Sequence, residues 1–262
     1  MSPVPRGLYV LEHEPYDEQA PIVVLVHGAL DRSSAFGRVV QRLPDLHVVV
    51  YDRRGYARSA RAEPTNSSGG VTFADHADDL LAILDGRPAT VVGHSYGGAV
   101  AMLAAYRDPQ TVTALGVFEA PVPWMPWWPV DGSESVAAEL LAGGSDGAKA
   151  AELFVRRQLG DRAWEDMPPP TQDERRADGV ALLADLGSLR GTDRPFDPAE
   201  IASPMIVGRG SDTAGYHHLA AARLAESTGA SLVDVEGGGH ASHVSHPEEF
   251  AAFVRRAVDL NN

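Results

Sequence analysis

Six short runs along the chain are almost continuously apolar and rich in β-branched residues: 22–26, 47–51, 90–92, 113–118, 205–207 and 231–235. A strand covered on both faces loses the alternation of a half-exposed one, so these runs predict buried, parallel strands. Between most of them apolar positions recur at helical spacing. Residues 73–84 predict a helix opened by Thr72 three positions before Asp75, a capping box, and closed by Gly86. Residues 97–107 are Ala-rich and stop before Asp108-Pro109, and 219–226 and 248–258 alternate apolar and charged positions with a helical period. Strands alternating with helices predict an α/β fold with a doubly wound, mostly parallel sheet.

The rhythm breaks between 121 and 203, where no strand pattern occurs. This interval opens on APVPWMPWWPV, which holds three of the four tryptophans, and helix-like stretches at 135–141, 148–158 and 173–186 surround Pro168-Pro169-Pro170. The pattern reads as a helical cap inserted into a core made of residues 1–120 and 204–262. Ligands of open α/β sheets bind beyond the carboxyl ends of the strands, where such an insertion sits. Trp124, Met125, Trp127 and Trp128 are therefore candidates to line an apolar substrate pocket, with packing of the insertion onto the core as the equal alternative.

Composition narrows the function. A chain of 262 residues with 44% hydrophobic and 22% charged positions can bury a large core. A formal charge of −14 argues against nucleic acid and anionic membrane surfaces as partners, leaving a small-molecule substrate. The absence of cysteine excludes disulfides, thiolate nucleophiles and cysteine-ligated metals. No apolar run approaches the ~18 residues of a membrane span, and Glu12 and Glu14 interrupt the place of a signal-peptide core, so a cytoplasmic location is expected. Oligomeric state is left open.

The candidate chemistry lies at Gly93-His94-Ser95-Tyr96-Gly97, a G-x-S-x-G pattern placed after an apolar run and before an Ala-rich helix. In that context the glycines permit a tight strand-to-helix turn that holds a serine hydroxyl at a helix N-terminus, where N–H groups favour developing negative charge. His94 reads as a packing residue within the turn.

Five stretches in the same order, LVHGALDRS, VVYDRRGYARS, VVGHSYGGAVAM, MIVGRGSD and VEGGGHASHVSHPEEF, are similar to α/β-hydrolase-fold proteins over nearly the whole chain. Ala57 departs from the family pattern at a turn where glycine is common. The resemblance implies Ser95 as nucleophile, His240 as base, and an oxyanion hole from the amides of Ala29 and Tyr96. It implies a triad acid either at Glu119, slightly favoured, or at Asp212. No cofactor and no metal are implied: His243 and His246 follow His240 without accompanying cysteines or patterned carboxylates, and the adjacent His217-His218 side chains diverge on a helix. The implied function is a serine hydrolase that cleaves a carboxylic ester, thioester or lactone of a small apolar substrate through an acyl-enzyme. A cofactor-free haloperoxidase or perhydrolase, a carbon–carbon bond hydrolase, and a receptor-like member with little turnover share the same residues. Serine at the elbow argues against dehalogenase and epoxide hydrolase activities, which use aspartate there.

Overall fold

The computed structural model describes residues 7–17, 19–62, 70–129, 139–141, 146–191 and 193–261. All six apolar runs form strands, most of them longer by one to three residues than expected: β2 (Ile22–Val26), β3 (His47–Asp52), β4 (Ala89–His94), β5 (Val112–Phe118), β6 (Met205–Gly210) and β7 (Ser231–Val235). They belong to one seven-stranded sheet of order β1-β3-β2-β4-β5-β6-β7. Every pair is parallel except β1 with β3. The strand not anticipated is β1 (Tyr9–His13), on the sheet's edge. Its residues are half-buried or exposed, so it lacks the unbroken apolar run that marks a central strand.

The side chains of β2 explain why the sheet is covered twice. Val24 and Val26 pack with the helices Phe73–Leu84, Tyr96–Arg107 and Gly215–Thr228 on one face. Val23 and Leu25 pack with Phe36, Phe250, Phe253 and Val254 on the other. Apolar burial on both sides, worth about 25 cal/mol per Å², is the main force holding these layers. The helix Phe73–Leu84 has its expected bounds. The Thr72 side chain accepts from the Asp75 N–H, the Asp75 carboxylate accepts from the Thr72 N–H, and Asp85 closes the helix at φ 49°.

Between β5 and β6 lie the helices Gly147–Leu159, Asp161–Glu165, Pro169–Ala177 and Gly179–Arg190, and no strand occurs there among the described residues. The helix expected at 173–186 is split at Asp178, whose carboxylate is held by the Arg32 guanidinium at 2.8 Å and the Ala57 N–H at 3.1 Å. Gly179 permits the next helix to cross close by: a Cβ there would lie 1.8 Å from the Gly147 carbonyl oxygen. Ala57 itself sits at φ 45°, the backbone region that explains the family's glycine at this turn. Of the helix expected at 135–141, residues 135–138 lie outside the described residues. No helix among the described residues is long and apolar enough to cross a membrane.

Candidate active site

Ser95 stands between β4 and the helix Tyr96–Arg107 with φ 51° and ψ −126°, a strained backbone for a residue with a side chain. The flanking glycines are required by backbone, not by flexibility. A Cβ on Gly93 would meet the Gly97 carbonyl oxygen at 2.3 Å, and one on Gly97 would meet the Val26 carbonyl oxygen at 2.3 Å. Ser95 donates its N–H to Phe118 O at 2.8 Å, which ties the elbow to β5. The amides of Ala29 and Tyr96, one after β2 and one opening the helix, have no protein acceptor among the hydrogen bonds of the described residues. Ala29 lines the same two cavities that Ser95 lines.

A buried ionic cluster holds the loop that carries Ala29. The Arg53 side chain is fully buried and donates to His27 O and Gly28 O, both at 3.0 Å, and to Asp185 at 2.7 Å. Asp185 reaches in from the helix Gly179–Arg190 and also accepts from Tyr56 at 2.6 Å, while His76 lies 3.0 Å away. The guanidinium sits over the Tyr56 and Tyr96 rings, 4.7 and 4.5 Å from their centroids. Burial alone would raise the Asp185 carboxyl, but Arg53 and His76 hold it well below the usual carboxylate range.

His240, in the turn after β7, places Nδ1 2.6 Å from Glu119 Oε2. Glu119 directly follows β5 at φ 48°, is buried, and also accepts from Gly210 N–H at 2.8 Å and the Thr213 hydroxyl at 3.0 Å. Asp212 is exposed, and its carboxylate accepts from the Ser211 hydroxyl at 3.2 Å. Of the two candidate acids the fold therefore brings Glu119 to His240 and turns Asp212 outward. Ser95 and His240 line a common cavity, and no hydrogen bond joins their side chains among the described residues. His217 and His218 diverge as expected: His218 bonds Ser211 O at 3.0 Å, and His217 stacks on His240 with ring centroids 4.3 Å apart and planes 13° from parallel. Nothing in the linear pattern marks this, because the contact joins a helix to a loop that follows the next strand.

The apolar cavity beside Ser95 is lined by Trp128, Phe154, Leu186, Leu189 and Tyr216 among others. Trp128 is thus the only one of the four expected pocket residues found in that lining. Trp124 donates its indole N–H to Phe196 O at 3.0 Å and packs between Phe73 and Phe196. Met125 is buried in the core, and Trp127 packs against the same core. Successive tight turns at 122–125 and 125–128 send these side chains to different sides.

Several imidazoles here are held neutral. Burial pushes His27 down to about 3, helped by Arg53, and pushes His217 down to about 2, helped by His240. Burial, with His243 and His240 nearby, keeps His94 well below its ordinary value. Below pH ~6.5 the unfolded chain takes up protons that the folded chain refuses, so stability present above that pH is lost as pH falls. Urea unfolding should therefore show the free energy dropping by up to ~1.4 kcal/mol per pH unit per histidine between pH 6.5 and 5. A flat profile across that window would contradict the buried neutral histidines.

A model described as the alpha/beta hydrolase family matches residues 23–253. Lipase LipV of Mycobacterium tuberculosis is 32% identical over 174 residues, 64% of this chain and 61% of that lipase, so the chain spans less than two thirds of this relative. The crystal structure of the enol-lactonase from Burkholderia xenovorans LB400 is similar at a TM-score of 0.73 with 20% identity, covering 97% of this chain and 95% of that one. A thermophilic esterase from Thermogutta terrifontis is similar at a TM-score of 0.72 with 20% identity, covering 97% and 94%.

Proposed function

The chain belongs to the alpha/beta hydrolase family, and from that premise we propose that it is a serine hydrolase acting on a carboxylic ester, thioester or lactone of a small apolar substrate. The observation that carries this reading is the 2.6 Å contact between His240 Nδ1 and the buried Glu119 carboxylate, on a cavity wall shared with Ser95. A carboxylate accepts only, so Nδ1 carries the proton and Nε2 keeps the lone pair that a base needs. The names of the lipase, lactonase and esterase relatives support ester chemistry.

In the proposed cycle His240 Nε2 takes the Ser95 hydroxyl proton as Oγ attacks the substrate carbonyl. The Ala29 and Tyr96 amides hold the oxyanion, each worth about 3 kcal/mol in the transition state. The intermediate collapses, the imidazolium gives its proton to the leaving oxygen or sulfur, and the acyl group stays on Ser95. Water then attacks, again deprotonated by His240, and the acid leaves with Ser95 restored. Glu119 holds the ring through Nδ1 and offsets the imidazolium charge.

The helices between β5 and β6 act in this scheme as a cap, and Phe154, Leu186 and Leu189 supply the apolar wall for the substrate. Trp128→Ala should raise KM for a bulky apolar ester roughly tenfold, the weight of about 1.4 kcal/mol of lost contact. Trp124→Ala should leave KM unchanged and lower Tm instead, by about 2–4 °C per kcal/mol lost. The reverse pattern in steady-state kinetics and thermal melts would move the pocket to Trp124. The proposal as a whole is tested by incubating the protein with aryl esters, thioesters and lactones of graded acyl length. Turnover with an acyl adduct trapped on Ser95 is expected, whereas tight binding with no turnover would contradict it.

A further inference from the structure

A second histidine–carboxylate pair, His243 with Asp31, lines a cavity together with Ser95. We propose that Asp31, His94 and His243 form a site for one divalent transition-metal ion of the zinc class, and that an ion held there blocks Ser95. The blocking rests on the serine-hydrolase reading, whereas the site itself does not.

The three residues come from separate elements: the loop after β2, the end of β4, and the short helix Ser242–Ser245. Their donor atoms lie within 4.8 Å of one another. His94 and His243 are buried, and the Asp31 side chain is 15% exposed. His94 Nε2 is 2.7 Å from the His240 carbonyl oxygen, which only accepts, so Nε2 carries the hydrogen and Nδ1 keeps its lone pair. That Nδ1 is buried without a hydrogen-bond partner. A buried lone pair left unmatched costs stability that a ligand accepting that lone pair would recover. An imidazole that donates its other N–H to a backbone carbonyl is also the usual support of a metal-bound histidine.

The second imidazole and the carboxylate complete the donor set. His243 Nε2 is 2.9 Å from Asp31 Oδ2. An ion would take the place of the proton between them, and that proton would pass to water. The Asp31 carboxylate is held between the His243 ring and the Arg175 guanidinium, so its oxygens are presented as acceptors. Two neutral imidazoles and one carboxylate form the three-ligand set of an open zinc site, with a fourth position free. Asp31, His94, His243 and Ser95 line one cavity, so the fourth position opens beside the serine. The Arg175 guanidinium, 3.7 Å from Asp31 Oδ1, opposes the ion's charge and limits its affinity.

Of the other two three-donor groups among the described residues, Glu119, His217 and His240 belong to the site already described, and Glu12, Glu14 and His47 are exposed or half-buried around the edge strand β1. His246, grouped by spacing with His240 and His243, instead bonds the Ser245 hydroxyl through Nδ1 at 2.8 Å.

The test is titration of the metal-free protein with Co²⁺, read by its visible absorption, and with Zn²⁺, read by native mass. One ion per chain is expected in the wild type and in His217→Gln, with loss in His243→Gln and Asp31→Asn. Arg175→Gln should bind several-fold more tightly, a gain that misfolding cannot imitate. Zn²⁺ should also slow fluorophosphonate labelling of Ser95 in the wild type but not in His243→Gln. No retained ion, or one retained equally by Asp31→Asn and His243→Gln, would overturn the site. Binding that leaves labelling unchanged would overturn the blocking. A serine that never labels, with or without metal, would count against the hydrolase reading, and the Co²⁺ titration would still decide the site.

Discussion

Glu119→Gln should lower kcat by about four orders of magnitude, and Asp212→Asn should leave it within a few-fold of wild type. The asymmetry follows from what each carboxylate touches. Glu119 is buried and accepts from His240 Nδ1 at 2.6 Å, from Gly210 N–H and from Thr213. Glutamine keeps the shape and one acceptor oxygen, so the backbone contact to Gly210 can persist. It offers an amide N–H toward the ring, which favours the tautomer with its proton on Nε2 and removes the charge that balances the imidazolium. Asp212 is exposed and makes its side-chain hydrogen bond to Ser211, so its neutral isostere disturbs nothing that touches His240. Steady-state kinetics of the two variants on one ester decide the matter. A large loss in Asp212→Asn with a small one in Glu119→Gln would reverse the assignment of the acid.

Asp185→Ala should destabilise the fold by about 3–5 kcal/mol, because it strands a buried charge. Arg53 is fully buried, and Asp185 is the carboxylate that neutralises it. The same deletion leaves Tyr56 and His76 without their acceptor. It also loosens the guanidinium that holds the His27 and Gly28 carbonyls, and with them the Ala29 amide. Urea unfolding should show the loss of stability, and Tm should fall by roughly 10 °C. The double variant Arg53→Met/Asp185→Leu should be markedly less unstable than Asp185→Ala, since it removes both charges together. Equal losses in the two proteins would mean that packing, not charge, holds this cluster.

Much of this arrangement is legible in the linear chain because it depends on local rules. Unbroken apolar runs mark the central strands, Thr72 and Asp75 mark a helix start, and the glycines around Ser95 mark a turn with no room for side chains. What is hidden depends on contacts across the chain. Arg53 and Asp185 are 132 positions apart, so their pairing leaves no local trace. Glu119 and Asp212 follow the adjacent strands β5 and β6, and sequence spacing suits both. Only the folded turn at Gly210-Ser211 shows that Asp212 faces solvent. The tryptophans mislead for a similar reason: their proximity in sequence hides the tight turns that send Trp128 to the cavity and Trp124 in between the Phe73 and Phe196 rings. The edge strand β1 escapes notice because half of its surface is wet.

The central claim is that Ser95 is an activated nucleophile. Intact-mass analysis after treatment with a fluorophosphonate probe, on the wild type and on Ser95→Ala, tests it most directly. The account predicts a single adduct on the wild type and none on the variant. A folded wild type that gains no adduct, or an adduct that persists in Ser95→Ala, would contradict it.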